Sequence, residues 1–256
     1  HAVMPGVWHI VDCMGVCMTL LEGENAAMLV DTGYGIEDVA DFMRHMTDLP
    51  LTVFLTHNHH DHAMGARCFP ETYMLEADMA DWRMFTNDEM RRRVLTQAIG
   101  KNLTVDEKTF LAGEIPLPKV MKPGVIDLGG LTAEIIEAPG HTPGSAVVYV
   151  PERKLLLSGD DWNPCTWLFF PQALGLREYR SNMRGIQQLP FEKVLCPHRE
   201  ALYDRWMFDD FFNALTDGNL RAAEPVNIAP YEQIDTCQAT LPHDQVLVFD
   251  WAKSGL

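Results

Sequence analysis

Positive charge is scarce in this chain of 256 residues. Lysine and arginine together number 20, whereas aspartate and glutamate number 36, which leaves a formal net charge of −16 at pH 7. Proteins that bind DNA or RNA usually carry a basic patch that neutralises phosphates, and anionic membrane surfaces attract the same kind of patch. We therefore expect neither nucleic acid nor a membrane as a partner.

Long apolar runs, export signals and paired cysteines are also missing. No stretch approaches the roughly 20 apolar residues that span a bilayer, and the N-terminus lacks the basic and then apolar pattern of a secretion signal. The six cysteines are not needed as a disulfide framework in a chain of this size, and Cys13 and Cys17 have no second Cys/His pair nearby to complete a zinc site. These absences predict a cytoplasmic protein with reduced, mostly buried thiols.

The chain does contain a regular alternation of strand and helix patterns. Short apolar runs that predict strands occur at residues 26–30, 51–55, 125–128, 131–136, 145–150, 154–157, 193–195 and 245–249. Helical spacing of apolar residues occurs at 36–46, 78–98, 179–189 and 205–215. Interleaved strands and helices predict an α/β fold of layered sheets covered by helices. No linker-like stretch cuts the chain, which favours one domain over residues 1–256.

One segment is rich in side chains that bind metals. Residues 56–62 read Thr-His-Asn-His-His-Asp-His and directly follow the predicted strand 51–55. Imidazole and carboxylate together suit a borderline metal such as zinc, iron or manganese. His57 and His59 share a side of an extended segment. Asp61 and His62 follow where the chain turns toward a helix, so they can face a second position.

The pattern His57-x-His59-x-Asp61-His62 resembles the signature of the metallo-β-lactamase superfamily. Four further segments resemble the other motifs of that family and occur in the same order along the chain: Asp31-Thr32-Gly33, residues 138–144 around His141, Ser158-Gly159-Asp160, and Cys196-Pro197-His198. Each of these is weak alone. Because each follows a predicted strand, together they make the resemblance specific from residue 31 to residue 198.

The resemblance implies a fold and a set of metal ligands. The fold would be a four-layer αββα sandwich, in which two mixed β-sheets are flanked by helices. Two divalent metal ions, zinc first and iron or manganese as alternatives, would share one carboxylate. The ligands would be His57, His59 and His141 for the first metal, Asp61, His62 and His198 for the second, and Asp160 between them. Asp31 would lie just outside and orient a ligand histidine.

This ligand set implies hydrolysis. Three protein ligands and a shared carboxylate leave an open position for solvent, which distinguishes a catalytic site from a closed structural one. Two metals would lower the pKa of bound water and supply a bridging hydroxide that attacks a carbonyl or phosphoryl group. Asp61 would act as the catalytic residue that orients this hydroxide, and no serine or cysteine nucleophile is required.

Asp160 discriminates among the branches of the family. With an aspartate at the bridging position, this chain resembles glyoxalase II-like thioesterases, lactonases and RNA-processing nucleases. True β-lactamases usually carry cysteine or serine at that position. The acidic charge disfavours a nuclease. We therefore predict hydrolysis of a small-molecule ester, thioester or lactone. The alternatives are a phosphodiester hydrolase of the same fold, or a non-haem iron redox enzyme, similar to persulfide dioxygenases, that uses the same ligands.

The substrate pocket is expected in the segments that least resemble the family's motifs. Residues 78–124 are longer than a minimal connection and predict a helical insertion or lid. Trp162, Trp167 and Tyr179 follow Asp160 and are candidates for the pocket wall. Tyr179 lies where lactonase-like members place a hydroxyl that assists the substrate carbonyl.

Two further surface features are open to interpretation. Arg177, Arg180 and Arg184 could hold an anionic tail of the substrate. Trp206 and the phenylalanines of 208–212 form an aromatic helix face, which predicts packing against the body of the protein or a homodimer contact.

Overall fold

The computed structural model describes residues 1–256, and its strands form three sheets. The first is a seven-stranded sheet whose strands are adjacent in chain order: β1 (Ala2–Met4), β2 (Val7–Val11), β3 (Cys17–Glu22), β4 (Ala27–Val30), β5 (Leu51–Phe54), β6 (Tyr73–Met74) and β7 (Lys119–Val120). Strands β1 to β4 pair antiparallel, and β4 to β7 pair parallel, so this sheet is mixed.

The second sheet has six strands and is also mixed. Its order is β14-β13-β11-β10-β9-β8, with β8 at Gly124–Asp127, β9 at Thr132–Glu137, β10 at Ala146–Val150, β11 at Leu155–Leu157, β13 at Lys193–Leu195 and β14 at Tyr203–Asp204. Only β11 and β13 pair in parallel; the other neighbours are antiparallel.

The central core lies between these two sheets, and the alternation of side chains along each strand creates it. In β4 every residue is buried, but Met28 and Val30 belong to the inter-sheet cluster whereas Ala27 and Leu29 belong to a second cluster on the opposite face. A strand buried on both faces reads as a continuous apolar run, which is why the segment 26–30 shows no polar alternation.

Helices cover the outer faces of both sheets. Val39, Ala40 and Met43 of α1 (Val39–Met46) pack against the outer face of the first sheet. On the other side, α6 (Leu176–Ile186) and α7 (Arg205–Ala214) pack in the largest buried cluster together with β10 residues Val147 and Tyr149. The predicted four-layer αββα arrangement is therefore confirmed.

A third sheet was not expected from the sequence. It has the order β12-β17-β16-β15, with β12 at Cys165–Leu168, β15 at Glu224–Pro225, β16 at Thr236–Thr240 and β17 at Val246–Asp250. β12 pairs in parallel with β17. This sheet packs in the same cluster as α6 and α7, through residues such as Leu168, Ala239 and Phe249.

The segment 78–124 is helical, but it is divided differently from the prediction. The expected helix at 78–98 is two helices, α3 (Trp82–Thr86) and α4 (Asp88–Gly100), because Asn87 is extended and its side chain accepts a hydrogen bond from Met90 N. The short helices α2 (His60–Ala63), α5 (Glu107–Phe110) and α8 (Asp217–Arg221) complete the set. None of the helices is long and apolar enough to cross a membrane.

Candidate metal centre

Within each sheet, the motifs converge because they follow strands that run in the same direction. β4 and β5 are parallel, and they lead directly to Asp31 and to residues 57–62. In the second sheet β9 and β11 are both antiparallel to β10, and β13 is parallel to β11, so β9, β11 and β13 share one direction. The loops that leave their carboxyl ends carry His141, Asp160 and His198.

Three histidines form the first group of potential ligands. His57, His59 and His141 are buried, and each offers a ring nitrogen, these nitrogens lying within 4.8 Å of one another. The closest pair is His59 Nδ1 and His141 Nε2, at 2.8 Å. Burial lowers the pKa of all three rings, and the neighbouring histidines lower that of His57 and His59 further. The group therefore consists of neutral imidazoles, the form that binds a metal.

A second group contains Asp61, His62 and His198. Asp61 Oδ2 lies 3.6 Å from His62 Nε2 and 3.7 Å from His198 Nε2, and the three ligand atoms lie within 4.8 Å of one another. This group is more open than the first, because the side chain of His198 is 29% exposed whereas that of His141 is 2% exposed.

Asp160 lies between the two groups. Its Oδ2 is 3.1 Å from His198 Nε2, 3.4 Å from His62 Nε2 and 3.5 Å from His141 Nε2. One carboxylate therefore faces donors of both groups.

The electrostatics of the second group favour added positive charge. Burial alone would lower the pKa of His62 and His198, yet the Asp160 and Asp61 carboxylates raise both values. Conversely, burial alone would raise the pKa of Asp61, but His62 and the other histidines lower it to about 2. The carboxylates stay ionised only beside cationic partners, which a protonated imidazole or a metal ion can supply.

The residues present fit a metal site. Five buried histidine or carboxylate atoms have no hydrogen-bond partner, and three of them belong to the proposed ligands: His57 Nε2, His62 Nε2 and Asp160 Oδ1. An unpaired buried polar atom is costly, and these three belong to the groups described above. Imidazole nitrogens and carboxylate oxygens are the donors that zinc and comparable transition metals accept.

Asp31 holds the loop that carries the ligand candidates His57 and His62. Its Oδ2 lies 3.0 Å from His62 Nδ1, and Oδ1 accepts a hydrogen bond from Thr56 N at 2.7 Å. Thr56 Oγ1 in turn lies 3.0 Å from His57 Nδ1. The outward nitrogens of His57 and His62 are therefore engaged, and their Nε2 atoms are left facing the cluster.

Two further aspartates support the centre, and sequence reasoning missed both. Asp78 Oδ2 accepts hydrogen bonds from Thr142 Oγ1 at 2.7 Å and from Asn58 N at 3.1 Å, while Oδ1 accepts from Gly144 N at 2.6 Å. Asp161 Oδ1 accepts from His141 N at 2.9 Å. These contacts join segments far apart in the chain, so no local pattern signals them.

One side of the first group is covered by aromatic rings. Phe85 of α3 and Phe170 lie against His59, with ring centroids 4.5 and 4.8 Å apart. Phe170 also contacts Tyr231, and Trp167 is 38% exposed beside it. The segment 78–124 therefore contributes a ring to the edge of the centre, although its role as a lid stays a prediction.

The structure places two of the candidate pocket residues, Trp162 and Tyr179, in the core of the protein. Both side chains are fully buried in the cluster around α6 and α7. Trp162 Nε1 donates to Gln245 Oε1, and the Tyr179 hydroxyl donates to the carbonyl oxygen of Asp161. The Tyr179 ring packs so closely against Gly140 that a Cβ added at Gly140 would lie 2.5 Å from the ring. Because Gly140 precedes His141, Tyr179 supports the loop that carries His141.

The arginines of α6 also lie elsewhere. Arg180 pairs with Asp217 at 2.6 Å, and with Arg184 it lines a cavity of about 190 Å³ that none of the centre's histidines or carboxylates lines. Nothing in the structure connects these arginines with the centre.

Comparison with known families and proteins gives a consistent relationship. A family model described as the metallo-β-lactamase superfamily matches residues 11–198. The chain is 26% identical over 202 residues to the acyl-coenzyme A thioesterase MBLAC2 of Gallus gallus, covering 70% of each protein. It is 23% identical over 173 residues to a linear primary-alkylsulfatase of a Pseudomonas species, covering 55% of this chain but 32% of the alkylsulfatase.

Solved structures share the fold. A metallo-β-lactamase family protein from Thermus thermophilus superposes with a TM-score of 0.60 at 20% identity, covering 86% of this chain and 82% of the other. TTHA1623, solved in a di-iron-bound form, gives a TM-score of 0.57 at 19% identity, covering 79% of this chain and 97% of the other. At these identities the likeness concerns the fold alone.

Proposed function

Because the chain belongs to the metallo-β-lactamase superfamily, we propose that it is a metal-dependent hydrolase of small-molecule acyl compounds, with thioesters as its first class of substrate. Esters and lactones share the same carbonyl chemistry and are the next classes. The proposed binding partner of this protein is therefore a small-molecule substrate.

The observation that carries this proposal is the shared position of Asp160. Its carboxylate oxygen lies within 3.5 Å of a histidine nitrogen in each of the two donor groups. A structural metal site is closed by four ligands, whereas a catalytic site keeps an open position. Two groups of three donors with one shared carboxylate match the open type.

The proposed ligands follow from these groups. His57, His59 and His141 would hold one divalent ion, Asp61, His62 and His198 the other, with Asp160 common to both. Zinc is the first candidate, and iron or manganese would accept the same donors. When bound, such ions supply Lewis acidity and an activated water molecule.

The chain's own residues then have separable tasks. Asp61 is ionised, with its pKa at about 2, and it is partly accessible, so its carboxylate can accept a hydrogen bond from the attacking water and orient it. Asp31 and Thr56 hold His62 and His57 in position. The rings of Phe85 and Phe170 exclude water from the side of His59.

One feature favours a thioester, and a second favours a substrate with a hydrocarbon chain. The chicken relative is an acyl-coenzyme A thioesterase, and relatives of that name from human and cattle also match this chain. The wall formed by Phe85, Phe170 and Trp167 is apolar and lies beside the first donor group. An apolar wall of this kind suits the hydrocarbon part of an acyl group.

A second candidate substrate is an alkyl sulfate, because one relative is a linear primary-alkylsulfatase and the same wall would accept an alkyl chain. Phosphodiester hydrolysis has weaker support, because the net charge of −16 does not favour nucleic acid as a substrate. An iron-dependent redox reaction would use the same ligands, and its test is oxygen uptake by iron-loaded protein.

The experiment is a substrate panel measured with protein of known metal content. The panel contains acyl thioesters of increasing length, a lactone, a simple ester, an alkyl sulfate and a phosphodiester. We expect thioester hydrolysis in the metal-loaded protein and a loss of about 100-fold or more in Asp61→Asn, in line with general-base contributions. Asp244→Asn, at an exposed position, is the matched control. Full activity of Asp61→Asn with full metal content would overturn the proposed role of Asp61.

A further inference from the structure

His59 has both ring nitrogens in defined contacts, and they face opposite ways. Nδ1 faces the donor cluster, 2.8 Å from His141 Nε2. Nε2 faces outward, 2.6 Å from the side-chain amide nitrogen of Gln172. Gln172 lies in the segment that follows β12, it is half-buried, and it belongs to none of the motifs recognised in the sequence.

The chemistry of imidazole decides what the amide must do. A neutral imidazole has one nitrogen with a lone pair and one that carries hydrogen. If Nδ1 gives its lone pair to a metal, Nε2 carries the hydrogen and needs an acceptor. A glutamine amide can offer its oxygen as acceptor or its nitrogen as donor by turning about its last torsion, and the two arrangements have nearly the same shape.

The opposite arrangement would block metal binding. If the amide nitrogen donated to Nε2, the hydrogen would sit on Nδ1 of His59, pointed at His141. That tautomer has no lone pair to offer to the cluster. The orientation of one amide is therefore coupled to the ability of His59 to act as a ligand.

The same segment engages a second histidine of the group. The carbonyl oxygen of Trp167 accepts a hydrogen bond from His141 Nδ1 at 2.7 Å, which leaves His141 Nε2 facing the cluster. The ring of Phe170 contacts both histidines, with centroid distances of 4.8 Å to His59 and 5.4 Å to His141. Since β12 pairs with β17, the C-terminal sheet positions this segment, and β17 lies beyond the residues that the family model matches.

We propose that Gln172 is a positioning residue for the first metal: with metal bound, its amide is turned over, so that the side-chain oxygen takes the place of the nitrogen beside His59 Nε2. This oxygen accepts a hydrogen bond from Nε2 and thereby fixes Nδ1 as the ligand atom. The proposal rests on the metal-binding part of the proposed function and not on its substrate. Outer partners of ligand histidines affect metal affinity by about 10- to 100-fold.

Two substitutions at this position separate the direction of the hydrogen bond from simple packing. Gln172→Met keeps the length of the side chain but removes the acceptor, and we expect about 10- to 100-fold weaker binding of the first zinc equivalent. Gln172→Glu keeps only acceptor oxygens, and we expect affinity equal to or tighter than that of the unsubstituted protein. Affinity is measured in the full chain by competition with a chromophoric chelator, using zinc alone.

A matched control and a spectroscopic readout complete the test. Gln188→Met is the control, because Gln188 is exposed just after the end of α6 and its side-chain amide donates only to the Arg184 carbonyl oxygen. The nitrogen shifts of His59 in zinc-loaded protein should report a hydrogen on Nε2 in the unsubstituted chain and in Gln172→Glu, and melting temperatures show whether each variant folds.

The outcomes distinguish this proposal from the proposed function. Weaker zinc binding by Gln172→Glu, or a hydrogen on His59 Nδ1, would overturn the assigned direction of the hydrogen bond. Equal affinity in Gln172→Met and the unsubstituted protein would overturn the positioning role while leaving metal-dependent hydrolysis intact. Failure of the unsubstituted protein to bind zinc, iron or manganese would overturn both.

Discussion

Asp31 Oδ2 lies 3.0 Å from His62 Nδ1, and both side chains are buried where the loops after β4 and β5 meet. The backbone of Asp31 is left-handed, with φ at 65°. Among residues other than glycine, asparagine and aspartate tolerate this conformation best. The residue therefore combines a backbone requirement with a carboxylate that receives the outward hydrogen of a proposed ligand.

Asp31→Asn tests the carboxylate without straining the backbone. The amide is a weaker acceptor for His62 and Thr56, so we expect metal affinity to fall by about 10- to 100-fold while the fold persists. Chelator competition measures the affinity. Asp244→Asn is the control, since Asp244 is exposed and also has a positive φ, at 56°. Equal losses of affinity in the two variants would show that the His62 contact is not responsible.

We expect Asp78 to contribute strongly to the stability of the folded protein. Three donors from two ligand-bearing loops converge on its buried carboxylate, as described above. Asp78→Ala would leave them unpaired, and we expect the free energy of unfolding to fall by about 2–4 kcal/mol. Denaturant unfolding measures this, with Glu76→Ala of the same turn, which is exposed, as the control. A loss no greater than that of the control would contradict the role of Asp78 as a link between the loops.

The contrast between Asp160 and Asp78 shows which residues of the centre could be predicted from the sequence. Ligands such as His57, His59 and Asp160 lie at fixed spacings after strands, so the family pattern predicted which side chains would come together. Asp78, Asp161 and Gln172 act through contacts with residues distant in the chain, and a lone aspartate or glutamine carries no periodic or motif signal.

The buried positions of two aromatic pocket candidates have a different explanation. Tyr179 has the helical spacing of a buried face, with Leu176, Met183 and Ile186, and this spacing describes a core position better than a pocket position. The third sheet escaped detection because β16 reads Thr-Cys-Gln-Ala-Thr and β15 has only two residues, so neither shows an apolar run. Of the four strands of the third sheet, only β17 was predicted. It was expected at 245–249, and the structure has it at Val246–Asp250.

His9 predicts a pH-dependent contribution to stability. Its buried ring contacts Thr19 Oγ1 at 3.0 Å and the Arg199 carbonyl oxygen at 3.1 Å, and burial lowers its pKa below the ordinary value of 6.5. The unfolded chain therefore takes up a proton at a higher pH than the folded protein, so the stability from His9 is present above 6.5 and is lost as the pH falls toward the folded-state value.

The measurement compares variants at two pH values. In metal-loaded protein we expect the loss of unfolding free energy between about pH 8 and about pH 6 to be smaller in His9→Gln than in the unsubstituted chain. His45→Gln is the control because His45 is exposed on α1. An unchanged pH dependence in His9→Gln would exclude His9 as a source of it.

Phe170→Ala tests the apolar wall. Because this half-buried ring lies 4.8 Å from His59, we expect KM to rise by about tenfold for a long-chain acyl thioester and to change little for an acetyl thioester. Phe42→Ala, at an exposed position on α1, is the control. Equal changes in KM for short and long substrates would place the acyl chain elsewhere.

A chelator should remove the ions from the two proposed metal positions one after the other. The His198 side chain is 29% exposed, whereas His141 is 2% exposed and its loop is held by Asp161. Graded chelation should therefore remove the ion held by Asp61, His62 and His198 first, and His198→Gln should retain about one equivalent, as measured by mass spectrometry of metal content. His45→Gln should retain the full content.

Stability provides a second, independent readout of the same order. A ligand at about 100 times its dissociation constant stabilises the folded state by about 2.7 kcal/mol, which corresponds to a rise in melting temperature of roughly 5–10 °C for a protein of this size. We expect the rise in melting temperature that the ion held by His57, His59 and His141 produces to persist in His198→Gln and to be lost in His141→Gln. Simultaneous loss of both ions in His198→Gln would show that the two groups of ligands form a single cooperative unit.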